Sequence, residues 1–501
     1  MSLIRLLLVL LMVTMSHAAH AQWRRGESPN FIAYGDMSER ELRDRLLRLE
    51  DFDRLMRVAT NVNAPPAKSK LHVYFVGGAE ALRQIRAVDR GIVGYYMAGS
   101  EGIAAYVRTD RGAGSSEETL LHEYAHHFMW QYAPNRYPGW YIEGFAEYFM
   151  TVRFAERHID IGNFSRGRVH GLQGAWVPIE TMLSVNAEQL SGDARGQFYV
   201  QAWVMTHYFF SNRERQQALT RLLAASRRMQ PAAALQAATG MTGEQFTREL
   251  RRYISDGAIE FRRMPRQSSE TPPEVRFTML PASTGDMIVH KAALRVGIPE
   301  EEQGARLQAV RMAAARHPND PFASRVLAQA ELQFGDREAA GRILEALVTE
   351  TTADPELLYL RGRLHLARAD DGGAEGEMQA AASWLRRAAE ADPNHWQTQF
   401  HLARASAASA MSGSDADLDA ILRAQELAPQ VAALRLNAAQ VLIQRGQIEE
   451  ALHLLLPLIA DPHDQGAAAA ARRMLDGLGS IPVNADAEDE PVEEKPEEPK
   501  E

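Results

Sequence analysis

Two histidines with a glutamate beside the first are the residues of this sequence best suited to chemistry. The run LLHEYAHHFMW, residues 120–130, contains neither proline nor glycine and is compatible with a helix. Residues four apart lie on one face of a helix, so His122 and His126 can direct two imidazoles at one metal ion. In the pattern H-E-x-x-H the glutamate, here Glu123, acts as general base toward activated water. The competing interpretation is a buried helix that carries polar residues by accident.

A catalytic zinc site needs a third protein ligand, because three side chains and one water usually complete its coordination. The candidate is Glu143 in WYIEGFAEYF, on a predicted helix of its own, with sixteen residues between it and His126. His127 follows a candidate ligand directly and points about 100° away from it around the helix. We therefore predict that His127 is a packed or solvated histidine rather than a fourth ligand.

The order H-E-x-x-H followed by E-G-F-A resembles the gluzincin metallopeptidases. The wider pattern HEYAHHF…P.W..EGFAEYF resembles the peptidase-MA-like domains of bacterial proteins, over residues 70–255. The resemblance implies a zincin-like fold and one bound Zn²⁺ ion. Carried onto this sequence, it implies that His122, His126 and Glu143 are the metal ligands and that Glu123 is the catalytic base.

The resemblance also implies roles for two further side chains. Glu147, one turn after Glu143, matches the acid that hydrogen-bonds a ligand histidine and so fixes its ring. The reverse assignment, with Glu147 as the ligand, stays open. Tyr199 in FYVQAW stands where the family's oxyanion-stabilising tyrosine is expected. Packing in the core is the alternative for Tyr199, because Gln201 replaces the lysine of the family's segment.

The sequence departs from the M1-type aminopeptidases in two respects. The spacer between His126 and Glu143 is shorter than in those enzymes, and no Gly-x-Met-Glu-Asn motif precedes the histidines. The missing motif leaves no anchor for a free substrate N-terminus. The resemblance therefore does not imply an aminopeptidase, and it leaves endopeptidase and exopeptidase activity open.

The sequence pattern around these candidate residues predicts an α+β domain over residues 22–260. Alternating apolar segments between glycines indicate strands, and apolar residues at helical spacing indicate helices. Ser38 followed by Glu41 is a capping box at the start of the first helix. The predicted strands are 71–76, 91–97 and 102–107, and the predicted helices are 38–58, 79–86, 116–132 and 140–155. A small sheet followed by helices is the layout expected of a zincin.

A repeating pattern replaces this layout in residues 284–480. Prolines recur at intervals of 34, 38, 36 and 33 residues, at Pro321, Pro355, Pro393, Pro429 and Pro462. Each borders a pair of Ala- and Leu-rich helices, and this resembles the tetratricopeptide repeat. A generic Ala-rich helical array is the alternative, and both predict an all-α solenoid. The polar segment 261–283 between the two regions predicts a linker.

The two ends of the chain carry targeting and solubility signals. Residues 1–21 have the charge, apolar run and A-x-A ending of a signal peptide cleaved after Ala21, with an uncleaved anchor as the alternative. Residues 481–501 predict a disordered acidic tail, because nine acids oppose two lysines from Asp486 onward. The net charge of -10 belongs largely to this tail, so no nucleic-acid surface is expected. The chain has no cysteine, so a metal site must use histidines and carboxylates.

These features predict an exported protein, periplasmic or secreted, with no membrane span after the signal is cleaved. Its predicted activity is that of a zinc-dependent metallopeptidase, whose solenoid recruits the peptide or protein substrate or a protein partner. The alternative is a non-catalytic interaction scaffold, in which the repeats bind a partner and the zincin domain is structural. An intact Glu123 favours the enzyme, because a degenerate site would be expected to lose its base first.

Overall fold

The computed structural model describes residues 22–478 apart from 90, 111–115, 166–168, 258, 267–270, 373–375 and 408–414. The predicted signal peptide and acidic tail lie outside the described residues. An N-terminal α/β region is followed by a helical repeat region, as the sequence predicts. Within the described part of the chain, no helix has the length and apolar character needed to cross a membrane.

The N-terminal region is built on a six-stranded mixed sheet with a smaller three-stranded sheet beside it. The strands are Arg24–Glu27 (β1), Phe31–Gly35 (β2), Leu71–Val76 (β3), Gly94–Gly99 (β4), Gly102–Arg108 (β5), Arg153–Phe154 (β6), His158–Ile161 (β7), Arg262–Pro265 (β8) and Arg276–Met279 (β9). The large sheet has the order β4-β5-β3-β2-β1-β9. Strands β2, β3 and β5 are parallel, whereas β4, β1 and β9 pair antiparallel with their neighbours.

Helices cover the large sheet and complete the core of this region. They are Glu39–Thr60 (α1), Ala79–Ile85 (α2), Ser116–Tyr132 (α3), Gly139–Met150 (α4), Ile179–Ser184 (α5), Gly192–Phe210 (α6), Arg213–Ala225 (α7), Pro231–Thr239 (α8) and Gly243–Ser255 (α9). The Ser38 side chain accepts the backbone N–H of Glu41 at the start of α1, which confirms the predicted cap. Fully buried aromatic rings, including Phe52, Phe128 and Trp140, fix α1, α3 and α4 in one core. The two motif helices, α3 with the H-E-x-x-H run and α4 with the E-G-F-A run, are therefore held in place by this core.

The sheet structure is larger than predicted, and two strands lie in the segment 261–283 that was predicted as a linker. Strand β8 pairs with β7, and β9 pairs with β1 at the far edge of the large sheet. Most side chains of β8 and β9 are exposed, so the segment lacks the apolar run by which a strand is recognised in a sequence. Residues 24–35 also supply two strands that the sequence analysis did not predict.

The repeat region is an all-α solenoid, which confirms that prediction. Its helices are Thr284–Val296 (α10), Glu300–Ala315 (α11), Pro321–Phe334 (α12), Arg337–Leu347 (α13), Pro355–Asp370 (α14), Glu377–Ala391 (α15), Trp396–Ala407 (α16), Asp415–Leu427 (α17), Ala432–Gln444 (α18), Ile448–Ile459 (α19) and Gln465–Gly477 (α20). The recurring prolines stand at or just before the first helix of a pair. Pro321 and Pro355 open α12 and α14, and the preceding Asp320 and Asp354 cap those helices.

The solenoid packs against the N-terminal region along its length. Helix α10 covers one face of the large sheet, where Tyr106 donates its hydroxyl to the carbonyl oxygen of Ala292 at 3.1 Å. Farther along, Trp396 and Val431 are buried in the same core as the motif helices. Between these points, the turn from β4 to β5 enters the repeats, where Glu101 pairs with Arg363 at 3.1 Å. The two regions form one packed body rather than a domain with a free arm.

Candidate metal centre

Helices α3 and α4 carry the candidate ligands, and a glycine sets how closely they are held. Gly144 follows Glu143 in the E-G-F-A run and faces α6. A Cβ atom at this position would lie 2.4 Å from the carbonyl oxygen of Ala202 and 2.3 Å from Oγ1 of Thr206. Because no side chain fits there, α4 approaches α6 backbone to backbone. This contact fixes the depth of Glu143 in the core.

The three predicted ligands converge on one point. Nε2 of His122 lies 3.1 Å from Nε2 of His126. Oε2 of Glu143 lies 3.3 Å from Nε2 of His122 and 3.6 Å from Nε2 of His126. Among the described residues, these three side chains form the one group of three or more whose possible ligand atoms all lie within 4.8 Å of one another.

The triangle formed by these atoms fits a tetrahedral zinc ion. Ligand atoms about 2.0–2.1 Å from such an ion lie about 3.3–3.4 Å from one another, close to the three distances here. Glu143 has no exposed surface, and in the described part of the chain no donor has hydrogen-bond geometry toward its oxygens, although nitrogens of three histidines lie 3.1 to 3.6 Å from them. A buried carboxylate without aligned donors is costly. A cation bound between the three side chains would remove that cost.

Burial and mutual charge set the protonation of these groups. Burial lowers the pKa of His126 to about 4, against the opposing effect of Glu143, so its imidazole is neutral near pH 7. Burial works to raise the pKa of Glu143, but the surrounding histidines outweigh it and hold this pKa well below its usual range. Neutral imidazole and ionised carboxylate are the forms that bind zinc, and they describe His126 and Glu143; at His122 burial works to lower the pKa, but Glu143 and Glu147 outweigh it and raise this pKa.

The base candidate and the two accessory residues lie around the same point. Burial raises the pKa of Glu123, with His122 opposing the shift. Oε1 of Glu147 is 3.5 Å from Nδ1 of His122, the ring nitrogen that faces away from the ligand triangle. The ring of Tyr199 lies 6.4 Å from the ring of His122, centroid to centroid, and burial followed by the charge of Glu143 raises the pKa of its hydroxyl. The structure thus brings all six predicted site residues together.

Two neighbouring residues have structural partners. Nδ1 of His127 lies 3.0 Å from the Tyr96 hydroxyl, consistent with a packed histidine. Gln201, which replaces the lysine of the family's tyrosine segment, is fully buried and bonds to Val177 twice. Its amide accepts the backbone N–H of Val177 at 2.6 Å and donates to its carbonyl oxygen at 2.8 Å. The departure at Gln201 therefore serves the fold next to Tyr199.

Two residues near the centre were missed by the sequence analysis. His463, in the turn between α19 and α20, places Nε2 at 3.1 Å from Oε1 of Glu143. Glu188 lies on the other side of the His463 ring, with Oε1 at 3.4 Å from Nδ1. The sequence around His463, ADPHDQG, indicates a boundary between repeat helices. Nothing local in it indicates a contact with Glu143, which lies 320 residues earlier in the chain.

The comparisons with known proteins concern the repeats. A family model described as Tetratricopeptide Repeats-Sensor (TPR-S) matches residues 305–404. No curated protein matches the chain. The matched residues lie within α11 to α16, so the repeats are of the tetratricopeptide type, a class of protein-interaction scaffold. The resemblance of the N-terminal region to gluzincins is supported by its own residues alone.

Solved structures similar to the chain are also repeat proteins. A thermophilic TPR protein of Thermus thermophilus is 18% identical, with a TM-score of 0.33, over 38% of this chain and 98% of that chain. The C-terminal part of a TPR repeat-containing protein from Cytophaga hutchinsonii is 18% identical, with a TM-score of 0.26, over 38% and 72%. The APC/C hetero-tetramer Cut9–Hcn1 is 18% identical, with a TM-score of 0.30, over 55% and 49%. These TM-scores are too low to carry an argument, so the class of the repeats rests on the family match.

Proposed function

We propose that this protein is an exported zinc-dependent peptidase of the gluzincin type, with a repeat scaffold packed against its catalytic region. The observation that carries the proposal is the triangle of ligand atoms from His122, His126 and Glu143, with edges of 3.1 to 3.6 Å, in which Glu143 has no aligned hydrogen-bond donor among the described residues. Export is inferred from the signal-like sequence of residues 1–21.

The proposed reaction divides its tasks among named side chains. Zinc, when bound, supplies a Lewis acid that lowers the pKa of water and polarises the scissile carbonyl. Glu123 takes the proton from water and passes it to the leaving amine. Burial raises the pKa of Glu123 toward neutrality, which suits a group that must both accept and release a proton. Tyr199 keeps its proton, because its pKa is raised, and can donate a hydrogen bond to the developing oxyanion.

The sheet offers a place for an extended substrate. Strand β4 is the edge strand of the large sheet and lies against α3, the helix that carries both histidines. An extended peptide can add to such an edge through main-chain hydrogen bonds. A peptide bound in this way would lie beside α3, the helix that carries Glu123. The substrate class is therefore an extended segment of a peptide or protein.

The test compares two glutamates of α3 in the full-length protein. Glu123→Gln should lower hydrolysis of labelled casein by about 100-fold or more, since positioned general bases contribute about 10²–10⁴-fold, while one zinc per chain is retained. Glu117→Gln is the control, because Glu117 lies on the same helix with its side chain 62% exposed, and its hydrolysis should equal that of the wild type. Undiminished hydrolysis by Glu123→Gln, or by zinc-free protein, would rule out the proposed mechanism.

The second candidate function is an interaction scaffold whose metal centre is structural. The family match in residues 305–404 favours it, because tetratricopeptide-type repeats typically bind other proteins. Part of their surface is already used inside this chain, where Gln333 and Arg363 hold Glu101 of the N-terminal region. A partner would therefore bind a different face or displace this contact. Wild-type protein that binds one zinc and hydrolyses no casein would favour the scaffold.

A further inference from the structure

The turn that joins the last two repeat helices reaches the metal centre in a fixed conformation. Two aspartates hold residues 460–464 in place. Oδ1 of Asp461 accepts the backbone N–H of His463 at 2.8 Å, and Oδ1 of Asp464 accepts that of Ala467 at 2.8 Å, at the start of α20. Aspartate side chains commonly form such bonds to nearby backbone groups in turns and at helix N-caps, and here they favour the observed shape. The turn therefore presents His463 as a positioned side chain.

The His463 ring lies between two carboxylates and beside a ligand. Its Nε2 is 3.1 Å from Oε1 of Glu143, and its Nδ1 is 3.4 Å from Oε1 of Glu188. Its ring centroid is 5.0 Å from that of His126. The other oxygen of Glu143 faces the two ligand histidines. His463 thus contacts the oxygen of Glu143 that is not directed into the ligand triangle.

Further contacts bring the end of the solenoid against the metal-binding helix. Gln430 donates to Oε1 of Gln131 at 2.8 Å and lies 3.3 Å from Nε2 of His127, the neighbour of a ligand. The guanidinium of Arg435 stacks over the ring of Trp130 at 5.0 Å from its centroid. The gap between α3 and the turn has a volume of only about 30 Å³. This is a packed interface.

The position of His463 distinguishes two roles that it could have. The group of side chains whose ligand atoms all lie within 4.8 Å of one another consists of His122, His126 and Glu143, and His463 is outside it. A fourth protein ligand would also occupy the position that water needs in a catalytic zinc site. Contact with the second oxygen of a ligand carboxylate instead suits a residue that fixes the orientation of that ligand.

We propose that His463 is a positioning residue of the metal centre, acting through Glu143, so that the last repeats are part of the site. Its Nε2 lies 3.1 Å from Oε1 of Glu143, a charge contact that leaves Oε2 for the metal, while Glu188 lies on the other side of the ring. The proposal rests on the proposed function, because it assumes that the three ligands bind zinc. It assigns the repeats a role in the centre itself, in addition to any partner that they bind.

The experiment measures zinc affinity by competition with a chelator in full-length protein. His463→Ala should weaken zinc binding by about 10- to 100-fold, the range for loss of a group that orients a ligand. His463→Gln keeps an N–H donor and should recover most of that affinity. His453→Ala is the control, because His453 is exposed on α19, and its affinity should equal that of the wild type. The metal-free proteins should melt at the same temperature, which separates ligand positioning from a loss of fold.

Failure of the proposed function and failure of the role of His463 give different results. Wild-type protein that binds no zinc would overturn the proposed function, whereas wild-type binding with equal affinity in His463→Ala would overturn the role of His463 alone. Tighter binding or faster hydrolysis in His463→Ala would also overturn it, since a blocking residue would behave in that way. If His463→Ala does not fold, Glu188→Gln tests the same arrangement: weaker zinc binding supports it, and unchanged binding contradicts it.

Discussion

Two glutamates in different parts of the molecule show how a candidate metal ligand differs from a member of a structural ion pair. Glu356, at the start of α14, lies 3.0 Å from Nζ of Lys291 and 2.8 Å from Nη1 of Arg325. Burial works against its charge, but Lys291 and Arg325 hold its pKa well below the usual range. Glu143 is more deeply buried, yet histidines surround it and no donor is aligned with its oxygens among the described residues.

The difference lies in whether the neighbouring side chains can lose a proton near pH 7. Lysine and arginine keep their protons near pH 7, so the charge of Glu356 is permanently balanced and ties α14 to α10 and α12. Imidazole can be neutral and offer a lone pair, so the surroundings of Glu143 are compatible with a metal ion in a way that those of Glu356 are not. Burial alone would have marked both glutamates as unusual. The identity of the neighbours distinguishes them.

Matched substitutions of Glu143 and Glu356 test the difference between the two glutamates and should give the strongest result. At a free zinc concentration about 100-fold above the dissociation constant, zinc should stabilise wild-type protein by about 2.7 kcal/mol. Glu143→Gln should abolish that gain. Glu356→Gln should keep the gain and lower stability by about 1–3 kcal/mol with and without zinc, because it removes an acidic partner of both Lys291 and Arg325 at a partly exposed site, while Arg325 keeps Asp354. Thermal melting of both variants, with and without zinc, measures this, and an equal zinc-induced gain in both would refute the distinction.

A smaller effect concerns how closely the helices of the centre are packed. Gly144→Ala should destabilise the protein by about 1–3 kcal/mol and weaken zinc binding, because the new methyl group would push α4 away from α6. Gly99→Ala is the control, since a Cβ atom at Gly99 meets nothing within 4 Å. Melting temperature and zinc affinity should change in the first variant and not in the second. If Gly144→Ala behaves like its control, this packing does not hold the ligand in place.

The smallest effect is a pH dependence at Glu356. Its pKa in the folded protein is below the ordinary value of 4.5, so its ion pairs contribute their full stability above about pH 5. This stability is lost as the pH falls through the folded pKa. The difference in melting temperature between wild-type protein and Glu356→Gln should therefore be constant from about pH 8 to pH 6 and shrink below about pH 4. A difference that grows on acidification would contradict the assigned ion pairs.

The sequence predicts the parts of the centre that depend on local spacing. His122 and His126 share a face because residues four apart on a helix always do, and the strong periodicity around Glu143 indicates a second helix with little ambiguity. Prolines at regular intervals likewise predict the solenoid. These features depend on neighbours within a few turns, so their sequence patterns carry the necessary information.

The parts that the sequence did not predict depend on contacts between distant segments. Strand β9 pairs with β1 across some 250 residues and exposes most of its side chains, so no apolar pattern marks it. His463 reaches Glu143 only because the solenoid packs back onto α3, through contacts such as Gln430 with His127. Pro462 marks a repeat boundary, and that local signal gives no indication of the long-range contact.

We propose that His122, His126 and Glu143 together bind one metal ion. Calorimetric titration with zinc tests this in metal-free, full-length protein. The wild-type protein is compared with His126→Ala. We expect one zinc per chain in the wild type, and in His126→Ala a loss of affinity well beyond the roughly 100-fold expected from removing a group that only orients a ligand. Absence of zinc binding in the wild type, or equal binding in the variant, would contradict the account.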